Sequence, residues 1–335
     1  MSVWHCKIKK VNKYMTQKLR VAFQMDPIEG INIAGDTTFA MIEQSQARGH
    51  QNWVFGPEHV AWEEAEVTAR ARPLTVKREQ GNHYGLGAEQ VLNLSQDIDV
   101  IHMRQDPPFD MSYISAAHML ESIKDKTLVV NDPFWVRNSP EKIIPLMFPE
   151  LMPPTLVTRN RNAIMAFKAK HNDIVVKPLF GNAGAAVFRI KPNDGNLGAL
   201  IDLFFAGSNE PLMLQAFVKE VFQGDKRIFL IDGEPMGGIN RLPKGDDIRS
   251  NLAAGGSAEA CELSARDLEI CAAIGPTLKA RNLLFVGIDV IAGRLTEINV
   301  TSPTGIRAYL GFTGIDLMIP FWDAVEAKFH KKSQA

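Results

Sequence analysis

Glu297 and Asn299 lie two residues apart in the stretch Arg294–Val300, whose alternating apolar residues are typical of a β-strand. Side chains at positions i and i+2 of a strand point to the same face of a sheet. This stretch therefore places a carboxylate beside an amide. Oxygen donors of this kind are the ligands that Mg²⁺ prefers, usually together with phosphate oxygens.

The longer stretch Leu283–Val300 has the pattern of a hairpin whose tip contains Gly293. If Gly293 is the centre, Asp289 lies directly opposite Glu297. Like charges in opposed positions destabilise a strand pair. We therefore expect a cation between the two carboxylates, and a raised pKa for at least one of them in its absence.

In the same register Gly287 lies opposite Asn299, and its missing side chain would leave room for a ligand. An alternative is that these polar residues form the exposed face of a half-buried sheet. The register decides between the two, because a slip of one residue would move Asp289 and Glu297 to different faces.

Two lysines are candidates for binding phosphate. Lys177 ends an apolar strand and is followed by a loop with Gly181 and Gly184, where backbone N–H groups could converge on phosphate oxygens. Ser139 has the features of a helix N-cap, which would place Lys142 in a first helical turn, itself an anion site. An ordinary β-turn and a solvated helix lysine are the respective alternatives.

Two further segments could serve the same site. Asp225 and Arg227 share one face of a strand, where Arg227 could stabilise charge that develops in a reaction, or form a surface ion pair. The apolar segment Met213–Val218 could hold a flat base, or could be an ordinary core strand.

The elements that would position these residues are α/β in type. Strands alternate with helical patterns through about residue 138, including a strand at 19–25 and a helix at 37–48 capped by Asp36, which predicts a parallel sheet. Residues 155–190 have a βαββ pattern typical of a small separate lobe. Asp232-Gly233 marks a second hairpin. Residues 241–257 are polar and glycine-rich, as in many active-site lids.

The composition is that of an ordinary globular protein. The chain has 335 residues, is 45% hydrophobic and 22% charged, and carries a net charge of −1. This balance gives no indication of a nucleic-acid or membrane partner. The three cysteines have no metal-ligand spacing, which favours a reducing compartment. Residues 1–14 are basic and unpatterned, and we expect a poorly ordered extension.

Several motifs together resemble the bacterial glutathione synthetases of the ATP-grasp superfamily, over about residues 15–327. The motifs are MDPIEGINIAGDTTFAM, MRQDPPFD, VVNDPFWVRNSPEK, VVKPLFGNAGAAVFRI, GDKRIFLIDGEP, SNLAAGGSAE, IGPTLKARNLLFVGIDVI and LTEINVTSPTGIR.

The resemblance implies an ATP-grasp fold with an N-terminal Rossmann-like parallel-sheet domain at 15–138. A central lid lobe at 139–217 and a C-terminal lobe with the metal site at 218–330 would follow. It implies ATP-dependent ligation of γ-glutamylcysteine and glycine through an acyl phosphate, giving glutathione, ADP and phosphate. The alternatives are another ATP-grasp carboxylate-amine ligase that acts on a different peptide, and a non-catalytic nucleotide-binding relative.

The resemblance also implies roles for individual residues. The implied ATP-binding residues are Lys142, Lys177, Gly181, Asn182, Gly184, Ala185, Gln215, Ala216, Phe217, Val218 and Asp225. The implied catalytic residues are Arg227, Arg241 and Lys177. The implied peptide-binding residues are Arg241, Asn251, Ser302, Pro303 and Thr304, and the implied metal ligands are Asp289, Glu297 and Asn299.

The cofactor implied by the resemblance is Mg²⁺ or Mn²⁺, with two ions per site. The implied partners are ATP, γ-glutamylcysteine and glycine, with no nucleic acid and no membrane. A homotetramer or homodimer in the cytoplasm is expected from the same resemblance.

Overall fold

A computed structural model describes residues 17–181, 184–245, 247–251 and 255–334 of the chain. The extension expected at residues 1–14 lies outside the described residues. In the described part the chain builds an N-terminal, a central and a C-terminal sheet, each covered by helices. None of the described helices is long and apolar enough to cross a membrane.

The N-terminal sheet combines parallel and antiparallel strands. Its strands are β1 (Arg20–Gln24), β2 (Gln51–Phe55), β3 (Val60–Glu63), β4 (Glu66–Val76), β5 (Tyr84–Leu86), β6 (Gln90–Asn93), β7 (Val100–Met103) and β8 (Leu128–Val130). The main order is β3-β4-β2-β1-β7-β8, and β5 and β6 also pair with β4. Strands β1, β2, β7 and β8 are parallel, as the sequence predicts.

The antiparallel strands β3 to β6 are an addition that the sequence analysis does not predict. Along β4, the small apolar residues Val67, Ala69 and Ala71 are buried, while the residues between them are mainly exposed. This alternation is typical of antiparallel strands with one solvated face. The tight turn Glu64-Ala65, with both residues at positive φ, can join only antiparallel neighbours.

Three helices accompany this sheet: α1 (Thr37–Ala47), α2 (Met111–Glu121) and α3 (Pro133–Asn138). The side chain of Asp36 accepts the Phe39 N–H at 2.6 Å and caps α1, as expected. The chain runs from β1 through α1 to β2 on one side, whereas β7 and β8 extend the sheet on the other. The direction of winding therefore reverses between β1 and β7, at whose carboxyl ends a crevice opens.

The prediction of a helix that begins at Ser139 is wrong. Ser139 is instead the residue that ends α3, and residues 141–143 form a turn that leads into a 3₁₀ helix at Ile144–Met147. Pro140, Pro145 and Pro149 each lack a backbone N–H, so a regular helix cannot be sustained through this segment.

The central lobe consists of β9 (Thr155–Thr158), α4 (Arg161–His171), β10 (Ile174–Pro178), β11 (Phe188–Ile190), α5 (Leu197–Gly207) and β12 (Leu212–Ala216). Its strands pair in the antiparallel order β11-β10-β12-β9. The buried residues of this lobe form a cluster of their own that includes Ile164, Val176 and Ile201. A lobe with a separate core can move as a unit against the rest of the molecule.

The C-terminal lobe consists of β13 (Asp225–Ile231), β14 (Glu234–Leu242), β15 (Ser257–Ala260), α6 (Ala265–Ala280), β16 (Phe285–Ile291), β17 (Arg294–Asn299), α7 (Ile306–Thr313) and α8 (Met318–Ser333). The strand order is β15-β14-β13-β16-β17. The hairpin predicted at Asp232-Gly233 is confirmed, with both residues at positive φ.

The C-terminal lobe shares its core with the N-terminal unit. Ile101 and Ile288 belong to one cluster of buried residues, and Phe23, Phe229 and Trp322 belong to another. These shared cores fix the N-terminal sheet relative to β13–β17, so the central lobe faces a rigid base.

Candidate active site

A cleft of about 290 Å³ lies between the central sheet and the C-terminal sheet. The sequence-predicted Asn182 lies outside the described residues. All the other predicted site residues line this cleft: Lys142, Lys177, Gly181, Gly184, Ala185, Gln215, Ala216, Phe217, Val218, Asp225, Arg227, Arg241, Asn251, Asp289, Glu297, Asn299, Ser302, Pro303 and Thr304.

The hairpin β16–β17 has the predicted register. Asp289 pairs with Glu297, and Gly287 pairs with Asn299. Ala292 and Gly293 both have positive φ and form a two-residue turn, which alone would place Asp289 opposite Thr296. A bulge beyond Asp289 absorbs one extra residue of β17. The predicted pairing of the two carboxylate positions is therefore confirmed.

The expectation that repulsion from Glu297 would raise the pKa is wrong for Asp289. Its carboxylate receives Nε and Nη2 of Arg227 at 2.6 and 3.1 Å, and Nη2 of Arg241 at 3.0 Å. Burial alone would raise the pKa of Asp289, but the two guanidiniums outweigh it and lower that pKa to about 2. The two guanidinium groups thus balance the negative charge of Asp289 without any bound cation.

The expectation that Gly287 leaves room for a ligand is also wrong. A Cβ at Gly287 would lie 2.9 Å from Cδ of Arg227 and 3.0 Å from Cβ of Pro303. The glycine therefore leaves space for the side chain of Arg227, which reaches from β13 to Asp289 on the neighbouring strand β16.

Glu297 faces two lysines. Its Oε1 lies 3.8 Å from Nζ of Lys142 and 3.7 Å from Nζ of Lys177. Both lysine side chains are buried, while that of Glu297 is 21% exposed to the cleft. Burial lowers the pKa of Lys177, and Glu297 opposes that shift. The two ammonium groups and one carboxylate form a charged floor with one surplus positive charge.

Lys142 reaches this floor from the turn at residues 141–143, so the predicted contribution of a helix N-terminus is absent there in the described chain. Nζ of Lys142 donates a hydrogen bond to the carbonyl of Gly181 in the loop after β10. The lysine thereby joins the glycine-bearing loop to the floor of the cleft.

The glycine-bearing loop meets the segment that follows β14. Gly184 has φ +78°, and a Cβ there would lie 2.9 Å from Oδ1 of Asn251 and 3.2 Å from Cδ of Arg249. Any larger residue at 184 would therefore be strained and would press on this segment. The two loops approach each other across the mouth of the cleft.

A mainly apolar slot lies beside the charged floor. Residues 215–218 line it at the end of β12, and its other lining residues include Pro153, Val175, Val221 and Ile291. The guanidinium of Arg189 stacks on the Phe217 ring at 3.7 Å and holds it flat. Such a slot has the shape and polarity to accept an aromatic base.

Asp225 lies between the slot and the arginines. Its Oδ2 accepts Nη2 of Arg241 at 2.7 Å and the Ser250 hydroxyl at 2.6 Å, while Oδ1 has no partner within the described chain. Burial raises the pKa of Asp225 to about 6, although Arg241 acts in the opposite direction. The unpaired oxygen is a hydrogen-bond acceptor free for a ligand.

Some residues that line the cleft were not predicted from the sequence. Asp106 and Pro107 follow β7, and only their position at the carboxyl end of a parallel strand could have indicated them. Glu141 also lines the cleft, and its Oε1 accepts the hydroxyl of Thr301 at 2.7 Å. That bond ties the Lys142 turn to the start of the Ser302–Thr304 segment.

Comparisons with protein families match both halves of the chain. The family model of the prokaryotic glutathione synthetase N-terminal domain matches residues 19–137, and that of the prokaryotic glutathione synthetase ATP-grasp domain matches residues 141–313.

Comparisons with individual proteins agree. A glutathione synthetase of Rhodopseudomonas palustris is 52% identical over 310 residues, which cover 92% of this chain and 99% of that protein. A glutathione synthetase of Salmonella typhimurium is 42% identical over 315 residues, which cover 93% and 100%.

Solved structures of lower identity share the fold. The D-cycloserine synthetase DcsG is 14% identical with a TM-score of 0.65, and the alignment covers 92% of this chain and 99% of that one. The ATP-grasp ligase PsnB, with Mg and ADP, is 18% identical with a TM-score of 0.62 over 92% and 98%.

Proposed function

Because this chain belongs to the prokaryotic glutathione synthetase family, we propose that it joins γ-glutamylcysteine to glycine at the expense of ATP, giving glutathione, ADP and phosphate. The family, the ligase class and the ATP-grasp fold that the sequence predicts are confirmed. The individual roles of the site residues are proposals that the geometry supports.

The observation that carries the proposal is the meeting of three kinds of group in one cleft. Lys142 and Lys177 offer positive charge to phosphates, and the slot at residues 215–218 offers a wall to adenine. Arg227 and Arg241 lie side by side on Asp289, where a carboxylate substrate would be activated. In a ligase of this class, these groups must lie no farther apart than the combined length of ATP and one carboxylate group.

The metal ligands proposed are Asp289, Glu297 and Asn299. The two carboxylates and the amide oxygen of Asn299 lie on one face of the hairpin. Nδ2 of Asn299 is buried with no partner among the described residues, so it could donate to a phosphate oxygen. The described residues hold no cluster of three His, Cys, Asp or Glu side chains that could hold a metal ion. Both oxygens of Asp289 already accept from Arg227 and Arg241, so Glu297 and Asn299 offer the freer oxygens of the set. Oxygen donors of this kind fit Mg²⁺ or Mn²⁺ if ATP phosphates supply the remaining ligands, and two ions per site are proposed. Bound there, the ions would neutralise phosphate charge.

The proposed reaction has two steps. A carboxylate oxygen of the cysteinyl residue attacks the γ-phosphorus of ATP, and ADP leaves with the electron pair of the broken P–O bond. The amine of glycine then attacks the acyl carbon, and phosphate leaves with the oxygen that came from the carboxylate. Lys142 and Lys177 hold the phosphates in place during the first step, and Arg227 stabilises the oxyanion in the second.

Closure of the central lobe would protect the acyl phosphate from water. The lobe has its own core, and Gly184 in the loop after β10 lies against Arg249 and Asn251 over the cleft. Expelling water from such a site prevents hydrolysis of the reactive intermediate and strengthens the interactions of the charged groups.

The proposed domain division remains 15–138, 139–217 and 218–330, which assigns each sheet to a separate unit. The proposed compartment is the cytoplasm, where ATP is available. A homodimer or homotetramer is proposed by analogy with the family.

The test is a measurement of phosphate release and of glutathione by mass spectrometry, with ATP, Mg²⁺, γ-glutamylcysteine and glycine. We expect phosphate and glutathione in equal amounts, and no product when either amino substrate is omitted. The α-linked isomer of glutamylcysteine is the matched control for the peptide. Absence of glutathione, or equal turnover of the α-linked isomer, would contradict the proposed function.

A further inference from the structure

We propose that Arg189 positions the Phe217 ring, and with it one wall of the apolar slot, without touching the nucleotide itself. Asp173 holds Arg189 in the orientation that this task requires. Because the slot is assigned to adenine only under the proposed function, the role of Arg189 rests on that function. Arg189 is in this view a positioning residue for nucleotide binding rather than a residue that contacts the base.

Phe217 lies where the chain leaves the central lobe. It follows β12, and its backbone N–H donates to the carbonyl of Asp173 at 2.9 Å, so it is still tied to that lobe. Residues 219–223 form a 3₁₀ helix that is tied to the C-terminal sheet, because Nδ2 of Asn240 on β14 donates to the carbonyl of Gln223 at 3.0 Å. The wall of the slot therefore stands at the boundary across which the central lobe would close.

Arg189 lies in a row of side chains that faces the slot. It pairs with Val175 across β11 and β10, and Val175 pairs with Gln215 across β10 and β12. Directly paired residues of antiparallel strands have their side chains on the same face. Val175 and Gln215 line the cleft, as does Val187, which precedes Arg189 by two residues. Arg189 therefore stands at the outer end of this row, beside the slot.

The guanidinium of Arg189 is held at its edge and makes its contact with Phe217 through its face. Nε and Nη2 donate to Oδ1 and Oδ2 of Asp173 at 3.0 and 2.7 Å, which is a bidentate pair. The same guanidinium lies 3.7 Å from the centroid of the Phe217 ring. A bidentate pair fixes the plane of a guanidinium, and a ring stacked on that plane must lie parallel to it. Asp173 thus sets the orientation of the Phe217 ring through Arg189.

The ion pair is too exposed for a role in stability to explain it. The side chains of Arg189 and Asp173 are 24% and 27% exposed, and ion pairs at such positions contribute little to folding. The ring of Phe222 gives Phe217 weaker support, since the two centroids are 6.2 Å apart and Phe222 is 42% exposed. Arg189 therefore restricts the rotamers of Phe217 before a ligand arrives, which removes an entropic cost from binding.

The experiment measures the binding of two ligands to wild type and Arg189→Gln by isothermal titration calorimetry with Mg²⁺. One ligand is ADP, and the other is ribose 5-diphosphate, which lacks only the base. We expect Arg189→Gln to raise the Kd of ADP about 3- to 10-fold, because the unsupported Phe217 ring populates its binding orientation less often. The Kd of ribose 5-diphosphate should stay within about twofold, because that ligand has no group for the slot.

A double variant tests whether Arg189 acts through Phe217. Phe217→Leu removes the stacked ring and should itself weaken ADP binding. Adding Arg189→Gln to Phe217→Leu should have little further effect, since the guanidinium then has no ring left to position. Arg189→Lys keeps a positive charge near Asp173 but lacks the planar face, so it should behave like Arg189→Gln toward ADP.

The matched control is Arg159→Gln. Arg159 stacks on the ring of Phe205 at 4.2 Å in the same lobe, and neither residue is among those that line the cleft in the described chain. Losing this second stack should leave the Kd of both ligands unchanged, whatever its effect on Tm. The control therefore separates an effect on the slot from a general weakening of the lobe.

Three results would overturn the inference. These are an equal loss for both ligands in Arg189→Gln, wild-type binding of ADP by Arg189→Gln, and additive losses in the double variant. If the wild type binds ADP no more tightly than ribose 5-diphosphate, the slot does not hold the base, and the proposed use of ATP fails together with the inference. Tighter binding of ADP by the wild type, combined with any of the three results, overturns the role of Arg189 alone.

Discussion

Replacing Lys177 by Met is expected to lower phosphate release by about 10³-fold, the usual effect of removing a group that stabilises transferring charge. Lys177 is buried at the end of β10, with its ammonium 3.7 Å from Glu297 on the floor of the cleft. Burial already disfavours its charge. Methionine fills the same volume without that charge, so we expect Tm to stay the same or rise while turnover is lost.

The matched control is Lys191→Met. Lys191 follows β11 in the same lobe, and it is exposed. We expect wild-type kinetics from it. Normal phosphate release by Lys177→Met, or a loss shared equally by Lys191→Met, would contradict the role assigned to Lys177.

Asp289→Asn and Glu297→Gln are both expected to remove most ligase activity, but they should differ in stability. Asp289 is the counter-ion of two buried arginines, and removing one member of a buried ion pair costs about 3–5 kcal/mol. Glu297 lies on the cleft surface with its two lysines at 3.7 and 3.8 Å. Removing its charge should lower the free energy of unfolding by about 1 kcal/mol or less, as for a partly exposed ion pair.

The stability difference should depend on pH. The pKa of Asp289 in the folded state is about 2, against an ordinary value of 3.8. The contribution of Asp289 to the free energy of unfolding is therefore fully present above about pH 4 and is lost as the pH falls through about 2. Chemical denaturation of wild type and both variants, at neutral pH and in acid, measures this. Equal destabilisation by the two substitutions, or an unchanged Tm in Asp289→Asn, would show that the arginine pairing is wrong.

The hairpin that carries the proposed metal ligands could be predicted from the sequence because its signals are local. Alternation with period two fixes which side chains share a face, and Gly293 marks the tip of the hairpin. The two-residue turn at Ala292-Gly293 alone would pair Asp289 with Thr296, so the pairing of Asp289 with Glu297 also depends on a bulge that was not predicted.

The environment of Asp289 could not be predicted in the same way. Its partners Arg227 and Arg241 lie on β13 and β14, so their contact depends on the order of strands in the sheet. The repulsion expected for two isolated carboxylates therefore gave the wrong pKa direction for Asp289. Gly287 is a related case, since only the path of Arg227 explains its missing side chain.

The error at Ser139 has a different origin. Ser-Pro-Glu is a good helix start, but the signals at Asp132-Pro133 are equally good and begin the real helix α3 seven residues earlier. A reading that weighed Pro145 and Pro149 against a long helix would have placed Lys142 in a turn.

Transfer of phosphate to the peptide carboxylate before the amide forms would carry a carboxylate oxygen into the released phosphate. γ-Glutamylcysteine with ¹⁸O in its cysteinyl carboxylate is incubated with ATP, Mg²⁺, glycine and the enzyme, and the released phosphate is analysed by mass spectrometry. We expect one ¹⁸O atom in each phosphate from substrate labelled at both oxygens, and one in each glutathione amide. Phosphate without ¹⁸O, released while glutathione is formed, would contradict it.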